Sequence, residues 1–266
     1  MMRDQSCLSA RRPVVLTIAG HDPSGGAGVT ADAETLRALG CHCCQVVTAL
    51  TEQDTHNVFA IWPQPAQTLL RQAARIVADM PPAVIKIGLI GSEELVYALA
   101  AWLRQPDLAH IPVVLDPVLA AGGGGRLGPG GLGALIVSEL LPRCHVVTPN
   151  VPEAQRLSGL DDPVAAVSAL LACGAGAVLL TGTHAASHDV INTLDTRDGL
   201  HASWRWPRLS GEYHGSGCTL ASALAALLAQ GLPLAEAAAR AQRFTWNSLL
   251  HARHAGGGQL LPDRLR

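Results

Sequence analysis

Short β-branched runs alternate with longer Ala- and Leu-rich amphipathic segments, glycine-rich turns follow several of the runs, and two extended segments sit late in the chain. Together these predict an α/β protein: a three-layer α-β-α sandwich with a mostly parallel central sheet. Residues 14–20, VVLTIAG, are apolar on both faces and read as a buried strand, followed by a Gly-rich turn and a helix over 28–39. A strand over 45–50 comes next, then a weaker extended piece over 56–62. Helix 65–79 leads to strand 83–88, helix 92–104 to strand 112–118, and a helix near 130–141 to strand 145–150. A helix starts near Val151, another spans 163–173, and 177–182 is a strand. Segments 188–195 and 200–206 read as a hairpin that gives the sheet an antiparallel edge, and helices 217–230 and 234–253 finish the chain.

Composition narrows the class. Hydrophobic residues are 48% of the 266 and charged residues 15%, which excludes disorder. The length suits one domain over 14–266, with residues 1–13 as a flexible tail. Nineteen Lys+Arg against 21 Asp+Glu, with no basic block, argue against a nucleic-acid partner. The longest apolar stretch, 220–241, is interrupted by Gln230, Gly231 and Pro233 and carries Glu236 and Arg240, so no membrane span is expected. Seven cysteines, an odd number spread along the chain, do not form a secreted disulfide framework; with no apolar run near the N-terminus, a cytoplasmic location is expected. Cys41-His42-Cys43-Cys44 is too crowded for one tetrahedral metal site and reads as buried thiols.

In open parallel sheets chemistry gathers beyond the carboxyl ends of the strands. Five unusual segments fall there: 20–28 (GHDPSGGAG), Asp116-Pro117, Thr148-Pro149-Asn150, 181–184 (TGTH) and 214–218 (HGSGC). The last precedes a long helix. Its glycines let backbone N–H groups converge, and the helix N-terminus adds positive partial charge, which makes an anion hole for phosphate. The same helix end would lower the pKa of Cys218 and ready a thiolate base; a plain glycine turn with a buried cysteine is the competing reading. Asn150 and Glu153 stand three apart on a first helical turn and can order waters around a Mg²⁺-bound phosphate, or act only as a helix cap with a capping-box Glu. Residues 122–131 hold seven glycines in ten positions and read as a flap over the site or a plain connector.

Taken in order, 17–32 (TIAGHDPSGGAGVTAD), 47–55 (VTALTEQDT), 86–89 (KIGL), 114–123 (VLDPVLAAGG), 148–154 (TPNVPEA), 181–184 and 214–226 (HGSGCTLASALAA) resemble the hydroxymethylpyrimidine/phosphomethylpyrimidine kinases of thiamine biosynthesis, within the ribokinase-like superfamily. The resemblance runs from about Val14 to the C-terminus. It implies an ATP- and Mg²⁺-dependent kinase that phosphorylates the hydroxymethyl group of 4-amino-5-hydroxymethyl-2-methylpyrimidine, and then the monophosphate to the diphosphate. It makes Cys218 the candidate base and gives the anion hole to the N–H groups of Gly215, Ser216 and Gly217. Asn150 and Glu153 fall near the nucleotide phosphates, Asp116 and Glu153 near the metal, and Thr181, Thr183 and His184 in a nucleotide-contacting turn. Gln53 occupies the ring-reading position, with Gly20, Asp32, Thr51 and Leu89 in the same pocket. An amide can accept from an exocyclic amine and donate to a ring nitrogen, so Gln53 suits an aminopyrimidine. Relatives suggest a homodimer.

The chain departs from this pattern at two lysines. Many members carry Lys where this chain has Thr181, and Lys-Ser-Gly in the flap where it has Ala121, Gly122 and Gly123. Phosphoryl transfer leans on positive charge, and Mg²⁺, the helix N-terminus and Arg126 in the flap are the expected compensation; if Arg126 takes part, Arg126→Ala lowers kcat sharply. The alternatives are a pyridoxal kinase, since one scaffold serves several substrates, and a non-catalytic pyrimidine sensor, against which the retained Asp116, Asn150, Glu153 and Cys218 argue.

Overall fold

The computed structural model describes residues 12–119, 131–183 and 187–266. One nine-stranded sheet organises them. Its strands are β1 Val14–His21, β2 His42–Gln53, β3 Val58–Pro63, β4 Val84–Ile87, β5 Val113–Leu115, β6 Val146–Val147, β7 Ala177–Leu180, β8 Asp189–Thr196 and β9 His201–Pro207. The order across the sheet is β3-β2-β1-β4-β5-β6-β7-β8-β9. Strands β2, β1, β4, β5, β6 and β7, adjacent in that order, run parallel. The late hairpin β8–β9 adds an antiparallel edge beside β7, as expected, and β3 adds a second one beside β2. The weak extended piece is therefore a paired edge strand.

The helices are α1 Gly28–Ala38, α2 Ala66–Asp79, α3 Glu93–Leu103, α4 Leu132–Leu135, α5 Val151–Ser158, α6 Pro163–Ala172, α7 Ser216–Ala229 and α8 Leu234–Leu250. Strand residues divide by period two between two cores. Leu16, Ile18, Ile85, Ile87, Leu115 and Val147 pack against α2, α3 and α6. Val15, Val84, Val114, Val146 and Leu179 pack against α7 and α8. This double-sided burial is why the strands read as continuous apolar runs.

Three expected elements come out shorter or broken. Strands 112–118 and 145–150 end at Leu115 and Val147. Pro117 and Pro149 lack the N–H a ladder needs, so the regular strands stop before them, and beyond Pro149 only an isolated bridge joins Asn150 to Thr181. The helix near 130–141 is α4, a wide π turn over Ile136–Leu140 and a tight turn over Leu141–Arg143 carrying Pro142. Strand β2 is instead longer than expected and carries Gln53 at its end. Among the described residues, no helix is long and apolar enough to cross a membrane.

Candidate active site

The carboxyl ends of the parallel strands open into a cavity of about 760 Å³. All five segments singled out in the sequence reach its wall, through His21, Asp22 and Gly28; Asp116; Thr148 and Asn150; Thr181 and Thr183; and His214 to Cys218. Gly20, Thr51, Gln53, Leu89 and Glu153 line it as well. Register irregularity in β1 between Ala19 and His21 turns Gly20 toward the cavity. Gly122, Gly123, Arg126 and the flap around them, and His184, lie outside the described residues, as does most of the N-terminal tail.

One wall is the N-terminus of α7. Gly215 has φ +76°, and an added Cβ would lie 2.0 Å from the carbonyl oxygen of Gly26, so only glycine fits. No side chain caps this helix end. Ser216, Gly217 and Cys218 thus bring first-turn backbone and positive helix-end potential to the cavity.

Cys218 meets two carboxylates and an ammonium. It lies near the backbone N–H of Gly28, the carboxylates of Asp116 and Asp32 and the ammonium of Lys86, all of which act on its sulfur. Burial pushes the thiol up to about 12, with Asp116 and Asp32 acting the same way against Lys86. The expectation of a helix-end thiolate is therefore corrected: at neutral pH Cys218 is a thiol, because loss of solvation and nearby negative charge exceed the pull of Lys86. Burial, with Asp32 adding, also raises Asp116 to about 6, while Lys86 and the Cys218 thiol oppose the shift. Asp116 is thus the readier proton acceptor at neutral pH.

Asp32 does not line the cavity. It is fully buried behind the wall, where its Oδ1 accepts from Lys86 Nζ at 2.8 Å and from Ser222 Oγ at 2.7 Å. A charge this deep needs a paired charge more than it needs a ligand. Lys86 is itself fully buried at the centre of β4. Burial works to lower its pKa, but Asp32, Cys218 and Asp116 more than offset this and hold it above the ordinary lysine value. Sequence reasoning gave Lys86 no role, although one lysine in an otherwise apolar buried strand is a signal that a partner waits.

The Asn150–Glu153 pair forms a reciprocal capping box. Asn150 N–H donates to Glu153 Oε2 and Glu153 N–H to Asn150 Oδ1, each at 2.9 Å. The capping reading is therefore realised, and both residues also face the cavity. Burial, helped by Asp116, pushes the Glu153 carboxyl up to about 8.

A second network joins residues of the 20–28 and 214–218 segments to Gln53, a pairing the sequence did not foretell. Asp22 accepts from the N–H and hydroxyl of Ser24, the N–H of Ala27 and the His214 ring. Burial pulls its carboxyl upward, but the His214 and Ser24 bonds outweigh this and hold it below the usual range. His214 Nε2 lies 2.9 Å from the Gln53 amide, and Thr51 Oγ1 lies 3.2 Å from the same amide's other end.

The surroundings fit a hard cation shared with a ligand. Asp116 Oδ2 is buried with no hydrogen-bond partner among the described residues, and Glu153 lies close enough to be shifted by its charge. Among the described residues no group of three or more His, Cys, Asp or Glu could hold a metal ion alone, so further ligands must come from water or phosphate oxygens.

A family model described as phosphomethylpyrimidine kinase matches residues 22–262. A hydroxymethylpyrimidine/phosphomethylpyrimidine kinase from Haemophilus influenzae is 36% identical over 253 residues, covering 92% of this chain and 93% of that one. A thiamine biosynthesis bifunctional protein from Geobacter sulfurreducens is 39% identical over 252 residues, 93% of this chain; the chain spans 51% of that longer protein. Among solved structures, the pyridoxal kinase of Staphylococcus aureus in complex with pyridoxal superposes with a TM-score of 0.86 at 27% identity, covering 96% of this chain and 94% of that one.

Proposed function

Because the chain belongs to the phosphomethylpyrimidine kinase family, we propose that it transfers phosphate from ATP to 4-amino-5-hydroxymethyl-2-methylpyrimidine, and then to the monophosphate, as a single kinase domain over residues 14–266 in the cytoplasm. The supporting observation is one continuous cavity lined both by an amide reader, Gln53, and by an uncapped helix N-terminus with Cys218 and Asp116. Likeness to a pyridoxal kinase shows that the fold does not choose the substrate. The choice rests on Gln53, whose amide complements an exocyclic amine next to a ring nitrogen, an amine pyridoxal lacks.

The residues divide the work. Gln53, Thr51, Gly20 and Leu89 hold the ring so that its hydroxymethyl oxygen faces Cys218. That oxygen gives its proton toward the Cys218 sulfur as the thiol passes its own to Asp116, which is the better base at neutral pH. The N–H groups of Gly215, Ser216 and Gly217 stabilise charge on the transferring phosphoryl group, and the positive end of α7 reinforces them. Lys86, behind Cys218 and Asp116, offsets the negative charge gathered there. Asn150, Thr181 and Thr183 border the nucleotide end. Asp116 and Glu153 are the residues that would hold Mg²⁺ through its waters; bound there, the ion would neutralise phosphate charge. Thr181 leaves the nucleotide turn without a lysine, and Arg126 of the flap remains the proposed substitute. Two copies are proposed to associate as a homodimer.

The test is a product assay on the full chain with ATP and Mg²⁺ and, in parallel, the hydroxymethylpyrimidine, its monophosphate or pyridoxal. Diphosphate made from the monophosphate, lost in Cys218→Ala and Asp116→Asn, supports the reading. Turnover of pyridoxal alone replaces it with the pyridoxal kinase reading. Tight pyrimidine binding without turnover replaces it with a sensor.

A further inference from the structure

The side-chain amide of Gln53 can meet a ring in two orientations that differ by a half-turn and have nearly the same shape, so its neighbours must set which end is oxygen. The end drawn as Nε2 lies 2.9 Å from His214 Nε2 and the end drawn as Oε1 lies toward Thr51, but the two ends are nearly isosteric and only the hydrogen-bond partners can assign them. His214 Nε2 also lies 2.8 Å from Asp22 Oδ2. Asp22 already receives three hydrogen bonds from Ser24 and Ala27 and is buried, so it is an acceptor throughout. His214 Nε2 must then carry a proton, in the neutral and the charged ring alike. A nitrogen that donates cannot also accept, so the amide end facing it is the carbonyl oxygen. Were that end the NH₂, His214 would have to turn a lone pair on a carboxylate at hydrogen-bond distance.

The other end of the amide is fixed independently. Thr51 Oγ1 sits 2.9 Å from the carbonyl oxygen of His21, which can only accept, and so spends its one proton there. Toward Gln53, at 3.2 Å, the hydroxyl is left as an acceptor, which requires the NH₂ group on that side. Both neighbours select the same orientation. The His214 ring is hemmed in on the side away from Gln53. Its backbone N–H donates to the carbonyl of Leu260. The ring also packs over Gly26, where an added Cβ would lie 2.3 Å from its Cδ2.

We propose that His214, held by Asp22, is a specificity-determining residue that locks the Gln53 amide with its carbonyl toward His214 and its NH₂ toward Thr51. The inference rests on the proposed function, and it deepens it. One lone pair and one N–H of the locked amide remain for a ligand. A ring that offers an amine donor on the His214 side and a nitrogen acceptor on the Thr51 side is accepted. The 4-oxo analogue, with donor and acceptor exchanged, is rejected, because a locked amide cannot turn to meet it. His214 thus acts on selectivity through Gln53, without itself reading the ring.

The test combines binding and spectroscopy on the full chain. Kd is measured by calorimetry for the 4-amino pyrimidine and its 4-oxo analogue, with wild type and with His214→Phe, which keeps a ring and removes the donor. The amine preference is expected to fall at least about tenfold in the variant, the scale of one net hydrogen bond, through weaker amine and stronger oxo binding, with His214→Gln, which restores an N–H, recovering part of it. An unchanged preference, or equal weakening for both rings, overturns the proposal. ¹⁵N spectra of the ligand-free wild type are expected to show His214 Nε2 protonated; an unprotonated Nε2 overturns the orientation whether or not the variant folds. Absence of phosphorylation of the amine by wild type counts against the proposed function alone, since the binding ratio and the tautomer still decide the role of His214.

Discussion

The ammonium of Lys86 lies 2.8 Å from the carboxylate of Asp32, and neither side chain has any solvent exposure. Ser222 donates to the same oxygen. Removing one member strands a buried charge. Lys86→Met is expected to lower stability by about 3–5 kcal/mol, while Lys86→Met combined with Asp32→Leu and Ser222→Ala recovers most of it. Urea unfolding of the full-length variants checks this. A loss under about 1 kcal/mol in the single variant would contradict the pairing as a source of stability.

Cys218 is held as a thiol by burial, near 12. Only the thiolate alkylates quickly, so at pH 8 its thiolate fraction is about three orders of magnitude below that of free cysteine. Mass-spectrometric timing of iodoacetamide labelling is expected to show Cys218 reacting far more slowly than free cysteine in the same tube. Labelling as fast as free cysteine would restore the thiolate base.

Burial raises the Glu153 carboxyl from 4.5 to about 8 and the Asp116 carboxyl from 3.8 to about 6. The folded protein keeps protons that the unfolded chain releases. The stability these groups contribute is thus complete below about pH 4 and lost as pH climbs through about 6 and then about 8. Without nucleotide or metal, Tm is expected to fall across this window, and Glu153→Gln to flatten its upper part. An upper part equally steep in the variant would contradict the assignment.

Arg264 is 2% exposed and ties three elements together. Its guanidinium donates to Thr219 Oγ1, to Glu34 Oε2 and to the carbonyl of Gly26. The Gly26 carbonyl in turn packs against Gly215 in the anion-binding turn. Arg264→Ala leaves buried acceptors without donors and is expected to cost more than about 2 kcal/mol, and to raise KM for the phosphorylated substrate. Thermal melts and kinetics check the two effects. Unchanged KM with lowered Tm would confine Arg264 to stability.

The alternating apolar runs and amphipathic segments carried the sandwich, its strands and the late antiparallel hairpin, because a strand covered on both faces by helices must be apolar throughout. Local chemistry also carried the glycine turn before α7 and the Asn150–Glu153 spacing, where φ sign and helical geometry act over a few residues. Pro117 and Pro149 were visible too, and they mark where the strands stop.

What the sequence could not carry was which charges share one volume. Asp32 stands in the motif of a pocket residue, yet the fold buries it against Lys86, 54 positions away, and Ser222, 190 away. Cys218 sits at a helix end that favours a thiolate, yet the desolvation and the Asp116 charge that reverse this come from the packed core. His214 and Gln53, 161 positions apart, meet because the turn before α7 returns to the edge at which β2 ends. Backbone conformation is set by neighbours along the chain, and so was readable. Burial, Coulomb energy and hydrogen-bond direction depend on distance and dielectric, which exist only once the chain has closed on itself.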